Sequence, residues 1–365
     1  MFAKKRIYLD QAAGVNGNPS SPHAEGRAAK ARLEAAREKI ARLVEVKADD
    51  VVFTSGATES NALAILGYVR AARKLHRNNA HVLYLPSAHA SVVENMQLLK
   101  AEGVVVEALP ISNGRVDLDA LAKLLTPNTV FASLDAVCGE TGTIWNTREV
   151  AELLHKKNIV VHVDASQAPL TEKITRSHFG ADMLTFDAAK VSPLRGLGLL
   201  VAHRTIPVEP LYRGGGQERG IRPGSESPYA AEIFAEALEE AARDREAFVA
   251  RAKATRMELL ALLSRRVPEA LVNEGREQAS NIVNISVLGK DTDYLVALLD
   301  EAGFAVSTRS ACETDAPDGS RSVLALTGDR ERAKATLRIS WGPHTRDREV
   351  LQVVEALEKA LNIAK

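Results

Sequence analysis

The sequence predicts an α/β protein with a largely parallel sheet and a smaller α/β unit towards its C-terminal end. Between residues 50 and 205, short runs rich in β-branched residues alternate with longer stretches of helical periodicity. Strands that alternate with helices in this way are typical of a sheet with crossover helices. A long charged helical stretch over residues 228–267 then separates this region from the C-terminal third. With 365 residues and 45% apolar content, the chain can bury a large core and divide into more than one structural unit.

The elements of the first region follow one another regularly along the chain. The strand candidates are residues 51–54, 81–85, 104–109, 130–134, 159–163, 183–186 and 197–202. Apolar residues at helical spacing predict helices over residues 28–46, 59–75, 118–125 and 147–156. The C-terminal third adds strand candidates at 282–287 and 337–339 and helices at 292–302 and 347–361. The long stretch at 228–267 is therefore expected to connect two units.

Charge, apolar runs and cysteine content narrow the class of protein. Acidic and basic residues number 47 each, so net charge favours neither nucleic acid nor an anionic membrane as a partner. No apolar run approaches the roughly 18 residues of a membrane span, and no signal-peptide pattern is present, so we expect a cytoplasmic protein. Cys138 and Cys312 provide neither a disulfide framework nor the paired spacing of a zinc site, and no metal site is predicted.

Two polar motifs stand where predicted strands end. In the first, Thr54-Ser-Gly-Ala-Thr58, a strand gives way to a helix whose free N–H groups suit a phosphate, and Gly56 permits close approach. An ordinary helix cap is the alternative. No lysine follows as in a nucleoside-triphosphate loop, so a triphosphate is not expected. In the second motif, Asp164 ends the strand at 159–163, where ligands of α/β sheets bind, or it caps the next element.

Lys190 lies between a strand candidate and the Gly-rich stretch that ends at Gly198. Most lysines are solvated surface charges, but a lysine in this setting can carry a carbonyl cofactor. If that cofactor is pyridoxal 5′-phosphate, an aspartate such as Asp164 would keep the pyridine nitrogen protonated, which makes the ring an electron sink. The two residues together are the strongest chemical signal of the sequence.

Further motifs occur along the chain in the order typical of one enzyme family. They cover residues 8–13, 18–21, 53–61, 162–167, 214–220, 222–225, 310–312 and 337–340. With these motifs the chain resembles the cysteine desulfurases, in the class V aminotransferase group of fold type I pyridoxal phosphate enzymes, over nearly its whole length. The resemblance implies a large cofactor-binding domain, residues 14–245, with a mostly parallel mixed sheet between helices. It also implies a small α/β domain, residues 1–13 and 246–365, that carries the loop of Cys312.

The resemblance assigns the cofactor contacts to particular residues. Lys190 would hold the cofactor as a Schiff base, Asp164 would face the pyridine nitrogen, and Gln167 would hydrogen-bond the ring O3′. Ala57 and Thr58 would hold the phosphate. These positions predict a pyridoxal phosphate site at the carboxyl end of the sheet.

Other matched positions imply a homodimer that acts on L-cysteine. Ser225 would reach the phosphate across the dimer interface, His89 would stack on the ring and move protons, and Arg338 would bind the substrate carboxylate with its charged fork. Cys312 lies in a polar segment with Pro and Gly, typical of an exposed loop in which a thiol can ionise. It would take sulfur from L-cysteine as a persulfide, leave L-alanine, and pass the sulfur to an acceptor such as an iron–sulfur scaffold protein.

The chain departs from the family pattern beside the lysine. Asp187-Ala-Ala189 stands where the family usually has Ser-Gly-His, two of whose side chains contact phosphate, and Gly139 replaces a common asparagine. An ionised Asp187 near the phosphate would repel it unless it points away or has a cationic partner.

Three functions are compatible with the sequence. They are an active cysteine desulfurase, a neighbouring class V enzyme such as a selenocysteine lyase or an aminotransferase, and a non-catalytic homologue that serves as a binding subunit. Cys312 argues against an aminotransferase, which needs no thiol.

Overall fold

A computed structural model describes residues 6–15, 17–76, 79–308 and 319–364 of the chain. The helices are α1 (Ala24–Val44), α2 (Ala57–Ala62), α3 (Tyr68–His76), α4 (Ala90–Ala101), α5 (Leu118–Leu124), α6 (Thr147–His155), α7 (Arg176–Phe179), α8 (Pro228–Arg266), α9 (Thr292–Glu301), α10 (Arg321–Thr327), α11 (Arg330–Lys334) and α12 (Asp347–Ile363). The strands are β1 (Val51–Thr54), β2 (His81–Tyr84), β3 (Val105–Ala108), β4 (Ile111–Ser112), β5 (Arg115–Val116), β6 (Thr129–Asp135), β7 (Thr143–Ile144), β8 (Val160–Asp164), β9 (Met183–Asp187), β10 (Gly198–Ala202), β11 (Leu271–Val272), β12 (Glu277–Gln278), β13 (Ile282–Ser286) and β14 (Thr336–Ser340).

The large sheet has the order β1-β10-β9-β8-β6-β2-β3 and is mostly parallel. Strands β9, β8, β6, β2 and β3 run parallel, whereas β10 is antiparallel to both of its neighbours. Almost every residue of β1, β6, β8 and β10 is buried, as expected for a sheet covered on both faces. The predicted α/β class and the mixed, mostly parallel sheet are confirmed.

The reversal of β10 follows from the short connection that leads to it. Ten residues, 188–197, join β9 to β10 and contain only a turn of 3₁₀ helix at Ala188–Lys190. A parallel return needs a crossover of about a dozen residues or more, usually with a helix, so this connection produces an antiparallel pair. The lysine-bearing segment is consequently a turn at the carboxyl end of β9.

Helices α2 and α3 form one continuous helical run that begins at Ala57. A π-helical turn, Leu63–Gly67, joins them, and all five of its residues are buried. The run starts after Gly56, whose φ of 149° is unfavourable for a side chain. The sequence therefore places a helix start directly after β1, as predicted.

Helix α8 spans two hydrophobic cores. Its first half contributes Phe234 and Leu238 to the core of the large sheet, and its second half contributes Leu259 and Leu263 to a second core. The second core also contains residues of the antiparallel sheet β11-β13-β14 and of helices α9 and α12. Among the described helices, none is both long enough and apolar enough to cross a membrane.

The elements that the sequence did not reveal are mostly very short. Strands β4, β5, β7, β11 and β12 have two residues each, which is too short for alternation to be recognised. Helices α10 and α11 have seven and five residues and begin at the side-chain caps Ser320 and Asp329. The longer α4, Ala90–Ala101, was also missed, although His89 caps its start.

Candidate active site

A cavity of about 310 Å³ opens where the carboxyl ends of β6, β8 and β9 face the starts of α2 and α4. Its lining includes seven of the predicted site residues, namely Ala57, Thr58, His89, Asp164, Gln167, Lys190 and Arg338. Its volume lies within the roughly 300–1,000 Å³ of small-molecule sites. A second cavity, of about 390 Å³ around the Arg37–Glu218 ion pair, contains none of the predicted site residues.

Three adjacent parallel strands each end in an aspartate at this cavity. They are β6 with Asp135, β8 with Asp164 and β9 with Asp187. Because parallel strands have their carboxyl ends at the same edge, their terminal side chains meet at one site. Asp164 was predicted from the sequence and Asp187 was noted as a departure from the family, but Asp135 was not identified.

Asp164 is held by a buried network that reaches His89. Its Oδ2 accepts a hydrogen bond from Asn61 Nδ2 at 2.7 Å and its Oδ1 accepts one from the Ser166 N–H at 2.9 Å. Asn61, which is fully buried on α2, also donates to Ser91 Oγ at 2.9 Å. Asn61 and Ser91 are positioning residues that the sequence reasoning missed, although Asn61 lies one helical turn after Ala57.

The ring of His89 is oriented by its position at the start of α4. Its Nδ1 accepts the backbone N–H of Ser91 at 3.1 Å and lies 2.8 Å from Ser91 Oγ. An Nδ1 that accepts an N–H carries no proton, so the neutral ring has its proton on Nε2. The helix start thus selects one tautomer of a histidine that lines the cavity.

Asp135 is a buried carboxyl group with an unsatisfied oxygen. It is 5% exposed, pairs in register with Asp164, and its Oδ1 has no hydrogen-bond partner among the described residues. Burial first, and then the charge of Asp164, raises the pKa of Asp135 well above its ordinary value, although the backbone N–H of His89 opposes this shift. Asp135 is therefore harder to ionise than a solvated aspartate, and it lies beside an oriented Asp164.

Relative to the wild type, Asp135→Asn should stabilise the apoprotein increasingly as pH rises above the ordinary carboxyl pKa of 3.8. The pKa of Asp135 is higher in the folded wild type than its ordinary value of 3.8 in the unfolded chain, so the stability of the wild type falls as pH rises between these two pKa values. The amide has the same shape and does not titrate. The measurement is the free energy of unfolding in urea at several pH values. Asp300→Asn, at an exposed position on α9, controls for the loss of a carboxylate, and a pH-independent difference at Asp135 would contradict the prediction.

Lys190 and Arg338 bring two cationic groups to the cavity from different units of the fold. Lys190 ends the 3₁₀ turn after β9 and is exposed, whereas Arg338 lies on β14 of the small sheet. The Nη1 of Arg338 donates to the carbonyl oxygen of Gly139 at 3.0 Å, which anchors the guanidinium beside the cavity. A Cβ at Gly139 would lie 3.0 Å from Nε2 of Gln167, so the missing side chain leaves room for that amide.

Asp187 contacts the helix start at which a phosphate was predicted. Its Oδ2 accepts the N–H of Ala57 at 3.1 Å, and its Oδ1 accepts the N–H of Ala189 at 2.8 Å. The sequence left open whether this carboxylate points away, and the structure directs it to the start of α2. The contacts of Ala57 and Thr58 with a phosphate remain predictions.

The two cysteines have different settings. Cys138 lines the cavity but is 2% exposed, and burial, with Glu140 and Asp135 contributing, raises the pKa of its thiol. It is therefore poorly suited to act as a thiolate. Cys312 lies outside the described residues. Ser225 is exposed and does not line the cavity of its own chain. Its Oγ accepts a hydrogen bond from Asn18 Nδ2 at 3.4 Å.

Comparisons with known proteins identify the family of the chain. The family model described as "Aminotransferase class-V" matches residues 6–353. A cysteine desulfurase, IscS 1, of Archaeoglobus fulgidus is 33% identical over 93% of this chain and 88% of its own length. The mitosomal cysteine desulfurase of Encephalitozoon cuniculi is 31% identical over 94% of this chain and 81% of its own length.

Solved structures show the same likeness. A NifS-like protein superimposes with a TM-score of 0.87 at 29% identity, over 95% of this chain and 92% of that one. DndA from Streptomyces lividans gives a TM-score of 0.77 at 29% identity, over 92% of this chain and 94% of that one.

A fold of this type with a lysine, an oriented aspartate and an arginine in one cavity defines a pyridoxal phosphate enzyme. The chain belongs to the aminotransferase class-V family, in its group of cysteine desulfurases.

The cavity fits the ring end of pyridoxal phosphate. Asp164 has both oxygens fixed by donors, so its carboxylate is oriented towards the cavity edge before any ligand binds. Lys190, His89 and Gln167 line the same space. The phosphate end differs, because the N–H of Ala57 is already bonded to a carboxylate. The donor set therefore suits the ring, and a phosphate at the predicted position would meet the carboxylate of Asp187.

Proposed function

We propose that this cysteine desulfurase removes sulfur from L-cysteine by forming a persulfide on Cys312, with Lys190, His89, Asp164 and Arg338 acting in one cavity. The observation that carries the proposal is that Lys190, Asp164 and His89 of the large sheet and Arg338 of the small sheet line the same space. These side chains come from four separate segments of the sequence and meet only in the folded chain. A non-catalytic binding subunit would not need it.

Arg338 is proposed to bind the carboxylate of L-cysteine. One of its N–H groups is used by the Gly139 carbonyl, which leaves further guanidinium donors for a carboxylate. An arginine is always charged and its planar fork matches the two carboxylate oxygens. Because β14 belongs to the small sheet, substrate binding would draw the two units of the fold together.

Lys190 and His89 are proposed to hold and move protons. Pyridoxal phosphate, when bound, supplies an aldehyde that bonds to amines and a ring that stores electrons, and Asp164 keeps the ring nitrogen protonated. Lys190 would hold this group at rest, and its amine, once released, would carry a proton at Nζ. His89, whose Nε2 bears the proton in the neutral ring, would supply a second proton-transfer group.

Cys312 is proposed as the sulfur acceptor within the chain. Its Sγ would bond to the substrate sulfur as the carbon–sulfur bond breaks, so that L-cysteine and a thiol become L-alanine and a persulfide without an external oxidant. The described residues on both sides of Cys312 support this role. Ser307 pairs with Arg338, and Ser322 lines the cavity and donates to the Ser87 carbonyl at 3.0 Å. Thr308 is four residues before Cys312 in the sequence. A chain of four residues spans at most roughly 14 Å between the Cα atoms at its two ends.

The partners of the proposed reaction are a second copy of the chain and a sulfur acceptor. Ser225 is exposed and away from its own cavity, which suits a contact with the phosphate in a homodimer. A persulfide must be delivered to a protein or small-molecule acceptor, and we propose an iron–sulfur scaffold protein. Regeneration of a free thiol fits a reducing compartment such as the cytoplasm.

The purified protein, loaded with pyridoxal phosphate, should form alanine and sulfide in equal amounts from L-cysteine when a thiol reductant is present. Alanine is measured by amino-acid analysis and sulfide by methylene blue formation. Selenocysteine is assayed in parallel, because a much higher rate with it would favour a selenocysteine lyase. If the protein loaded with pyridoxal phosphate forms no alanine from either substrate, the proposal is refuted. The non-catalytic binding subunit is then the remaining alternative.

A further inference from the structure

Asp187 is fixed in place by the backbone. Both of its carboxylate oxygens accept backbone N–H groups, from Ala57 at 3.1 Å and from Ala189 at 2.8 Å. Within the described part of its own chain it forms no ion pair with a lysine, arginine or histidine. The first N–H of the helical run α2–α3 thus already binds an anion that belongs to the protein.

The sheet register explains why this carboxylate reaches the helix start. Gly198 of β10 pairs with Asp187 of β9 on one side and with Thr54 of β1 on the other. A Cβ at Gly198 would lie 2.5 Å from the backbone carbon of Gly56, so β10 lies directly against the loop that begins α2. Strand pairing therefore directs the side chain at position 187 towards Ala57. This contact does not depend on the conformation of a mobile loop.

A phosphate seated at this helix start meets a resident negative charge. The phosphate ester carries between one and two negative charges near pH 7, since its second pKa is about 6. Two anions that share one set of N–H donors repel each other, and the repulsion is substantial at separations of a few ångströms away from bulk water. The helix start stabilises a phosphate or a carboxylate, but it has only one first N–H group to donate.

We propose that the carboxylate of Asp187 occupies part of the position expected for the cofactor phosphate. The phosphate group of the cofactor then binds in competition with this carboxylate. The inference deepens the proposed function and rests on it, because it assumes that pyridoxal phosphate occupies this cavity. The expected consequence is a weak preference for phosphorylated over unphosphorylated pyridoxal compounds. Removal of the charge at position 187 should increase that preference.

The test uses two ligands that lack the aldehyde and so cannot bond to Lys190. They are 4-deoxypyridoxine and 4-deoxypyridoxine 5′-phosphate, and their dissociation constants are measured by calorimetry on the full-length chain freed of cofactor. The phosphate preference is the ratio of the two constants. Asp187→Asn removes the charge and keeps one acceptor oxygen for the two N–H groups, whereas Asp187→Ser removes the charge and leaves a shorter hydroxyl group. We expect the preference to rise at least roughly tenfold in each variant.

Asp117→Ser is the matched control. Asp117 also caps a helix start, since its Oδ1 accepts the N–H groups of Asp119 and Ala120, but it does not line the cavity. Its loss should leave the preference unchanged. An unchanged or lower preference in both Asp187 variants would overturn the inference while leaving the desulfurase proposal intact. Failure of both ligands to bind the wild type would overturn the two together.

Discussion

Lys190→Ala should lower the rate of alanine formation from L-cysteine by at least roughly a thousandfold, equivalent to about 4 kcal/mol of activation free energy. The lysine is the only proposed covalent holder of the cofactor, and it lies at the turn after β9 where it lines the cavity with Asp164 and His89. Without its amine, the cofactor would be held by non-covalent contacts alone, and a proton carrier would be missing. The visible absorbance of lysine-bound cofactor should disappear.

Two measurements separate this loss from general damage. Borohydride reduction followed by peptide mass analysis should attach the cofactor to Lys190 in the wild type and to no peptide in the variant. Lys157→Ala, which removes an exposed lysine from the turn before β8, should retain wild-type activity and absorbance. Substantial turnover by Lys190→Ala would refute the assignment of the lysine.

Cys312→Ser should leave the cofactor absorbance unchanged and reduce sulfide formation by roughly a hundredfold or more, about 3 kcal/mol of activation free energy. A serine hydroxyl is not ionised at neutral pH and cannot form the sulfur–sulfur bond of a persulfide. The persulfide is located by alkylation and peptide mass analysis after a single addition of L-cysteine. In the wild type, it should be found on the peptide that contains Cys312.

Cys138→Ala is the matched control for the thiol. Cys138 lines the same cavity, but burial raises the pKa of its thiol and keeps it protonated. The variant should still accumulate the persulfide on Cys312. A persulfide found on Cys138 in the Cys312→Ser protein, together with retained sulfide formation, would refute the role of Cys312.

The contrast between these thiols shows how far sequence reasoning reaches. Cys312 was selected by its polar, Pro- and Gly-containing surroundings and by its motif, and both are local features of the chain. The burial of Cys138 depends on what packs around the end of β6, which no local pattern reports. Burial first, and then the neighbouring carboxyl groups of Glu140 and Asp135, raise the pKa of its thiol, and these surroundings form only in the folded chain.

Patterns along the chain predicted the α/β class, most of the longer strands and helices, and Asp164 and Lys190 as candidate site residues, and the family motifs added Arg338. These features follow from hydrophobic periodicity, from residue types at strand ends and from short motifs. All three depend only on residues that are close together in the sequence. Six of the seven predicted site residues in the cavity end or follow strands of the large sheet, whose parallel members bring their carboxyl ends to the same edge, and Arg338 joins them from β14 of the small sheet.

The differences among the three aspartates at that edge arise from contacts between segments that are distant in sequence. Pairing of β6 with β8 sets Asp135 beside Asp164, where burial and then the charge of Asp164 raise its pKa. Asn61 orients Asp164 from a helix that is distant in sequence, and the register of β1, β10 and β9 aims Asp187 at the start of α2. The charge and direction of a carboxyl group depend on which donors and charges surround it, and those come together only when the chain folds.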